Sequence, residues 1–325
     1  MYNLSGKGLF VFSDPGGAKP ILAYITLFNL NNSCIVISDR EYVFFSDYLV
    51  PVQKYKGELP IDYIKKNRPD FIFTGTSYTS KIELSFIEAA NKLNIPTYTF
   101  VDHYTRFLDR FEIRSNEFIF PRFILVGDEK LYSIAKQSVF NSEVLVSGNF
   151  HHQFLRKWKP SASKYNFFKE NEIPTEGKII VFAPDPLTNV GGAAVYGLDE
   201  ISVFKELANV FRRFNCDEYT FIIKTHPNQN VELLKAEAAL IDDVNILFTP
   251  NANTNSLLYY SDLVIGIFSN ILVEANIMGV KVVRYLNKLT AIDPFKDLNL
   301  GIAINSQDEL YDYLSKDLKV KACKK

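Results

Sequence analysis

Residues 259–285 read YYSDLVIGIFSNILVEANIMGVKVVRY, and this run sets the fold class. Leu263 to Ile265 is a short apolar β-type run, Gly266 to Asn270 a turn, Ile271 to Ala275 a helix, and Val280 to Val283 a second apolar run. Strand, turn, helix and strand in that order predict a βαβ unit, whose two strands lie parallel in one sheet.

The same alternation extends in both directions. In the second half the runs are Ile179 to Phe182, Thr220 to Ile223, Val244 to Phe248 and Gly301 to Ile304, with helical spacing over Val203 to Arg213 and Asn230 to Ala239. In the first half they are Leu9 to Phe12, Ser33 to Ser38, Phe71 to Thr74, Thr97 to Val101, Phe123 to Val126 and Glu143 to Val146, with helices over Pro20 to Leu30 and Ile82 to Leu93. Between the halves the chain turns polar, with Pro160, Ser161, Ser163, Pro174 and Gly177. The expectation is an α/β protein of two Rossmann-like domains facing across a cleft, 1–155 and 179–325, joined by a linker at 156–178. Ligands of such sheets bind at the carboxyl ends of the strands.

Composition narrows the function classes. The chain has 325 residues, 47% hydrophobic and 22% charged, with a formal net charge of -1. That balance gives no global field for nucleic acid or an anionic membrane, so a phosphate must be bound locally. Cys34, Cys216 and Cys323 show no CxxC spacing, which suggests neither a disulfide framework nor a zinc site and fits a reducing cytoplasm. The amino terminus has no secretory pattern, and no apolar run reaches the roughly 18 residues of a membrane span. The stretch from Leu314 to Lys325 carries five lysines. It is a candidate for peripheral contact with an anionic surface, or a solvated tail.

Several strand ends carry residues suited to chemistry. Leu9 to Phe12 runs into Ser13-Asp14-Pro15-Gly16-Gly17-Ala18-Lys19-Pro20, where backbone amides and a helix start can meet a ligand, although the spacing matches neither GxGxxG nor a P-loop. Thr76 offers a hydroxyl after the Phe71 to Thr74 run. Thr97 to Val101 ends in Asp102-His103-Tyr104-Thr105-Arg106, a carboxylate, an imidazole and a guanidinium together, so Asp102 or His103 is the expected base, with Asp14 a further candidate. Asn149 follows a glycine turn at the close of the first half, and the adjacent His151 and His152 lack the company of a metal site. In the second half, Lys224, His226 and Pro227 close one strand, while Phe268, Ser269 and Asn270 open a helix carrying Glu274. Amides and a hydroxyl there can hold phosphate, and a glutamate one turn in can accept from ribose hydroxyls. Pro184 and Asp185 lie in the loop after Ile179 to Phe182.

In order, KTHPNQN, NILFTP and YYSDLVIGIFSNILVEANIMGVKVVRY resemble the nucleotide-binding half of GT-B glycosyltransferases and of the related UDP-N-acetylglucosamine 2-epimerases. The HP pair with a downstream serine is also similar to bacterial sialyltransferases and capsule transferases that use cytidine nucleotides. DPGGAKP, VDHYTRF and SGNF follow the order of their glycine-rich loop, acid/base segment and domain-closing turn. The resemblance implies donor contacts by His226, Ser269 and Glu274. It implies a glycosyltransferase in bacterial surface polysaccharide synthesis, with a UDP- or CMP-linked sugar as substrate and no cofactor; the lack of a DxD-type pair points to metal independence, a single base in the first half fits inversion, and the expected place is the cytoplasm, at the inner face of the membrane. It also implies a glycan or lipid-linked acceptor bound by the first domain. APDPLTN stands where the epimerases carry a histidine- and arginine-rich loop, and FSNILVEA replaces their paired-glycine, double-glutamate pattern. An epimerase and a non-catalytic nucleotide-sugar-binding subunit are the alternatives.

Overall fold

The computed structural model describes residues 4–103, 106–226 and 229–322. The chain divides into two compact units, Met1–Trp158 and Lys159–Lys325.

The first unit carries strands β1 (Gly8–Phe12), β2 (Cys34–Ser38), β3 (Gln53–Lys54), β4 (Phe71–Thr74) and β5 (Thr97–Val101), a hairpin β6 (Glu112–Arg114) and β7 (Glu117–Phe118), then β8 (Phe123–Val126) and β9 (Glu143–Val146). Its helices are α1 (Pro15–Leu27), α2 (Pro60–Asn67), α3 (Ile82–Lys92), α4 (Glu129–Ser138) and α5 (Phe150–Leu155). The main sheet runs β3-β2-β1-β4-β5-β8-β9, and its pairings are parallel. β1 is buried along its whole length, as a strand covered by helices on both faces must be. Its alternate residues divide between two cores: Leu9 and Val11 pack with Ile37, Ile72 and Phe86, and Phe10 packs against Tyr24 and Phe73.

The second unit holds α6 (Lys164–Glu170), β10 (Lys178–Ala183), α7 (Gly192–Tyr196), α8 (Glu200–Phe211), β11 (Tyr219–Ile223), α9 (Val231–Ala238), β12 (Ile246–Phe248), α10 (Thr254–Tyr260), β13 (Leu263–Gly266), α11 (Asn270–Ile277), β14 (Lys281–Tyr285), β15 (Ile302–Ile304) and α12 (Gln307–Lys316). Its parallel sheet runs β12-β11-β10-β13-β14-β15. Ile180 and Phe182 face one core and Ile179, Val181 and Ala183 the other, the period-two split of a strand. The stretch 156–178, read from sequence as a linker, carries α6. Phe167, Phe168 and Ile173 lie in the second unit's core beside Ile179, because two adjacent phenylalanines in a helix favour burial over a solvated connection.

Strand order reverses between β1 and β4 in one sheet and between β10 and β13 in the other. A crevice opens at the carboxyl ends of strands where connections leave in opposite directions. Among the described residues, no helix is long and apolar enough to cross a membrane.

Candidate active site

In the first unit the loops after β1, β4 and β5 meet at the reversal point. α1 starts at Pro15, five residues earlier than the sequence suggests. Pro15 suits the first helical position, where its fixed φ is helical and no amide needs a partner. Gly16 and Gly17 are therefore the helix's first turn rather than a loop before it. A Cβ on Gly16 would overlap the Asp102 carboxylate, and one on Gly17 would come within 2.9 Å of the Thr76 amide. These glycines let the helix start approach the neighbouring strand ends.

Asp102 does not stand alone. Its Oδ1 accepts from Arg110 Nη1 at 2.6 Å, and the same nitrogen donates to Thr76 Oγ1 at 2.8 Å. Arg110 is buried, with Cζ 4.5 Å from the centre of the Tyr78 ring. His103 is half-buried beside this pair. Burial lowers its pKa from the ordinary 6.5, and Arg110 also opposes protonation, against the pull of Asp102, so the imidazole is neutral at pH 7.

Asp14 has a different environment. Its carboxylate accepts from the Tyr78 amide at 2.9 Å and from the Thr79 hydroxyl, and Arg40 Nη1 lies 3.2 Å away. These bonds tie the β1 loop to the β4 loop. Behind them Glu83 is buried, accepting from the Ser13 amide at 2.9 Å and from the Ser77 hydroxyl. Burial raises its pKa to about 7, against the pull of those hydrogen bonds. Ser77 Oγ in turn accepts from the Asp14 amide at 3.0 Å.

Other first-half candidates lie outside this cluster or at its rim. Arg106 is exposed, adopts a positive φ of 49° and pairs with Asp109 at 2.6 Å. Asn149 caps α5 by accepting from the His152 amide at 3.1 Å. His151 is buried, its Nδ1 2.9 Å from Tyr48 Oη. No cluster of metal-ligating side chains occurs among the described residues.

In the second unit the loops after β10 and β13 meet at the corresponding reversal. Asp185 Oδ2 accepts from the Phe268 amide at 2.8 Å, joining the two loops. Burial raises the Asp185 pKa to about 6. Pro184 beside it is buried. Ser269 caps α11, Asn270 is exposed at the helix start, and Glu274 is buried on the same helix. Lys224 is buried at the end of β11, and its ammonium lies 3.4, 3.0 and 3.1 Å from the carbonyls of Thr249, Pro250 and Ala252. Through these contacts the lysine holds the loop after β12 against the end of β11. His226 is exposed at the same edge, its amide donating to Gln229 Oε1 at 3.3 Å. Although the residue as a whole is exposed, partial burial of the ring lowers its pKa. Pro227, expected beside it, lies outside the described residues.

Sequence reasoning pointed to the hydroxyls of the Thr74 to Ser77 stretch but missed Arg110, Glu83, Tyr78 and Thr79. Arg110 had a signal in Phe107-Leu108-Asp109-Arg110-Phe111, where a cation among aromatics implies burial with a partner. Glu83 had one in its spacing on α3, three, four and seven residues before the apolar Phe86, Ile87 and Ala90, which places it on the buried face.

Neither a family model nor a curated protein matches the chain. Solved structures do. UDP-GlcNAc 2-epimerase from Neisseria meningitidis bound to UDP-GlcNAc is similar with a TM-score of 0.65 at 14% identity, over 96% of this chain and 91% of that one. The MnaA–UDP structure from S. aureus gives 0.65 at 13%, over 97% and 89%. E. coli ADP-heptose LPS heptosyltransferase II gives 0.57 at 12%, over 95% and 97%. These likenesses establish the fold. The chain has the two Rossmann-like units of the GT-B glycosyltransferases and of the UDP-GlcNAc 2-epimerases.

Proposed function

We propose that the protein is a glycosyltransferase that moves a sugar from a UDP- or CMP-linked donor to a hydroxyl of a glycan or lipid-linked acceptor in bacterial surface polysaccharide synthesis. The observation that carries this reading is the arrangement at the ends of β4 and β5. A neutral, half-buried His103 stands next to a carboxylate fixed by a buried guanidinium. His103 accepts the proton of the attacking hydroxyl, and the Asp102 carboxylate favours the imidazolium that forms. In the second unit the amides at the start of α11, Ser269 Oγ and His226 hold the departing phosphate, while Glu274 serves the ribose side. Donor phosphate binding then needs no metal, and one base on the acceptor side fits inversion at the anomeric carbon.

A second reading, epimerisation of the nucleotide sugar itself, is favoured by the higher fold similarity to the two epimerase structures. Product analysis separates the two. UDP-GlcNAc and CMP- or UDP-linked relatives are incubated with and without glycan acceptors and followed by mass spectrometry and NMR. Consumption that requires acceptor and is lost in His103→Ala supports transfer. An epimerised sugar formed without acceptor supports the second reading, and donor left intact under all conditions contradicts both.

A further inference from the structure

The first unit carries a cavity at the opposite edge of its sheet from the cluster around Asp102. It has a volume of about 480 Å³ and is lined by Asn91 at the end of α3, Asn94 and Ile95 before β5, the stretch from Phe118 in β7 to Arg122 before β8, and Asn141 before β9. β5 runs from Thr97 to Val101, which separates this edge from Asp102 by on the order of 15 Å. The volume falls in the usual range of small-ligand sites, ~300–1,000 Å³.

The lining is chemically specific. Phe118 and Phe120 stand with ring planes 8° apart and centroids separated by 6.3 Å. Phe118 is 40% exposed, so its ring is accessible from solvent. Of the described lining residues, Arg122 alone is charged. Its backbone amide is bound by Thr97 Oγ1 at 2.8 Å and its Cζ lies 5.5 Å from the centre of the Phe123 ring, so the side chain is supported at its base. Among the described residues, the side chains of Arg122, Asn94 and Asn141 make no hydrogen bond or ion pair within the protein. The aromatic pair offers flat apolar faces to the C–H side of a pyranose ring. The two amides can each donate to and accept from hydroxyls, and the guanidinium suits a planar carboxylate with two parallel hydrogen bonds.

We propose that this cavity binds a sugar residue bearing a carboxylate, such as a uronic or sialic acid unit, at a site separate from the one around Asp102. The ring stacks on Phe118 and Phe120, its carboxylate pairs with Arg122, and its hydroxyls meet Asn94 and Asn141. The proposal does not depend on which reaction the protein catalyses.

Saturation-transfer NMR on the full chain tests it, with D-glucuronate, N-acetylneuraminate, glucose and inorganic phosphate as probes. Phe118 and Arg122 are exposed, so Phe118→Ala and Arg122→Gln are expected to fold, which thermal melting checks. The expected result is transfer to at least one acidic sugar and weaker transfer to glucose. Affinity should fall about tenfold in each variant, the effect of removing one charge-assisted hydrogen bond or one stacking ring, and remain unchanged in Asp102→Asn. Absence of transfer to either acidic sugar overturns the proposal, as does transfer undiminished in both variants. Full displacement by inorganic phosphate at equal concentration also overturns it, because it marks a bare anion contact.

Discussion

Arg110 Nη1 lies 2.6 Å from Asp102 Oδ1 and 2.8 Å from Thr76 Oγ1, so one buried guanidinium joins the ends of β5 and β4. Removing the cation leaves a carboxylate without its partner in a mostly enclosed site. Arg110→Leu is expected to destabilise the protein by about 3 kcal/mol, as for other broken buried pairs, measured by urea unfolding. Arg110→Lys is expected to recover only part of the loss, because a single ammonium lacks the planar fork.

Gly16 and Asp102 form a second pair open to test, since a Cβ at Gly16 would occupy the space of the Asp102 carboxylate. Gly16→Ala should destabilise the protein and lower its turnover, and Asp102→Ala should relieve the clash. In a double-mutant cycle the two changes are expected to couple by at least about 1 kcal/mol, whereas independent sites add within roughly 0.5 kcal/mol.

Glu83 predicts a pH dependence of stability. Its folded pKa is raised to about 7 from 4.5. Between those values the unfolded chain has lost the proton while the folded chain keeps it, so stability falls as pH rises through the window. Asp185, raised to about 6 from 3.8, acts with the same sign over a lower window. Chemical denaturation of wild type and Glu83→Gln from pH 4 to 8 checks this, with the variant losing the Glu83 share of the decline, on the order of 1–3 kcal/mol.

His103 sets the expected acid limb of activity. Its pKa lies below 6.5, so a base in this position remains deprotonated at neutral pH. The pH profile of kcat/KM should hold its plateau to below pH 6.5 before falling, as protonation of the free enzyme's base removes activity. A limb above that value contradicts the assignment of His103 as the base.

Much of this architecture was legible in the sequence, for a physical reason. Strands buried on both faces, such as Gly8–Phe12 and Lys178–Ala183, read as continuous apolar runs and stand out from the amphipathic helices between them. Asp102 and His103 were visible as polar residues where such a strand stops. What could not be read were partners brought in from elsewhere in the chain. The carbonyls of Thr249, Pro250 and Ala252 that hold the Lys224 ammonium come from a loop 25 or more residues later, out of reach of any reading of the strand end itself. The start of α1 was misplaced because Pro20 reads as a helix opening, although Pro15 fills that role and Pro20 is accommodated inside the helix.

Every functional role proposed for the second unit rests on a sugar nucleotide binding at the start of α11. Thermal melting with UDP, CDP, CMP, GDP, ADP and TDP, with and without divalent metal, tests this on wild type, His226→Ala and Glu274→Ala. The expected result is stabilisation by a uridine or cytidine nucleotide without metal, about 2.7 kcal/mol at a hundredfold excess over Kd, that both variants lose. No shift with any of the six nucleotides, or a shift that both variants retain in full, would overturn the assignment.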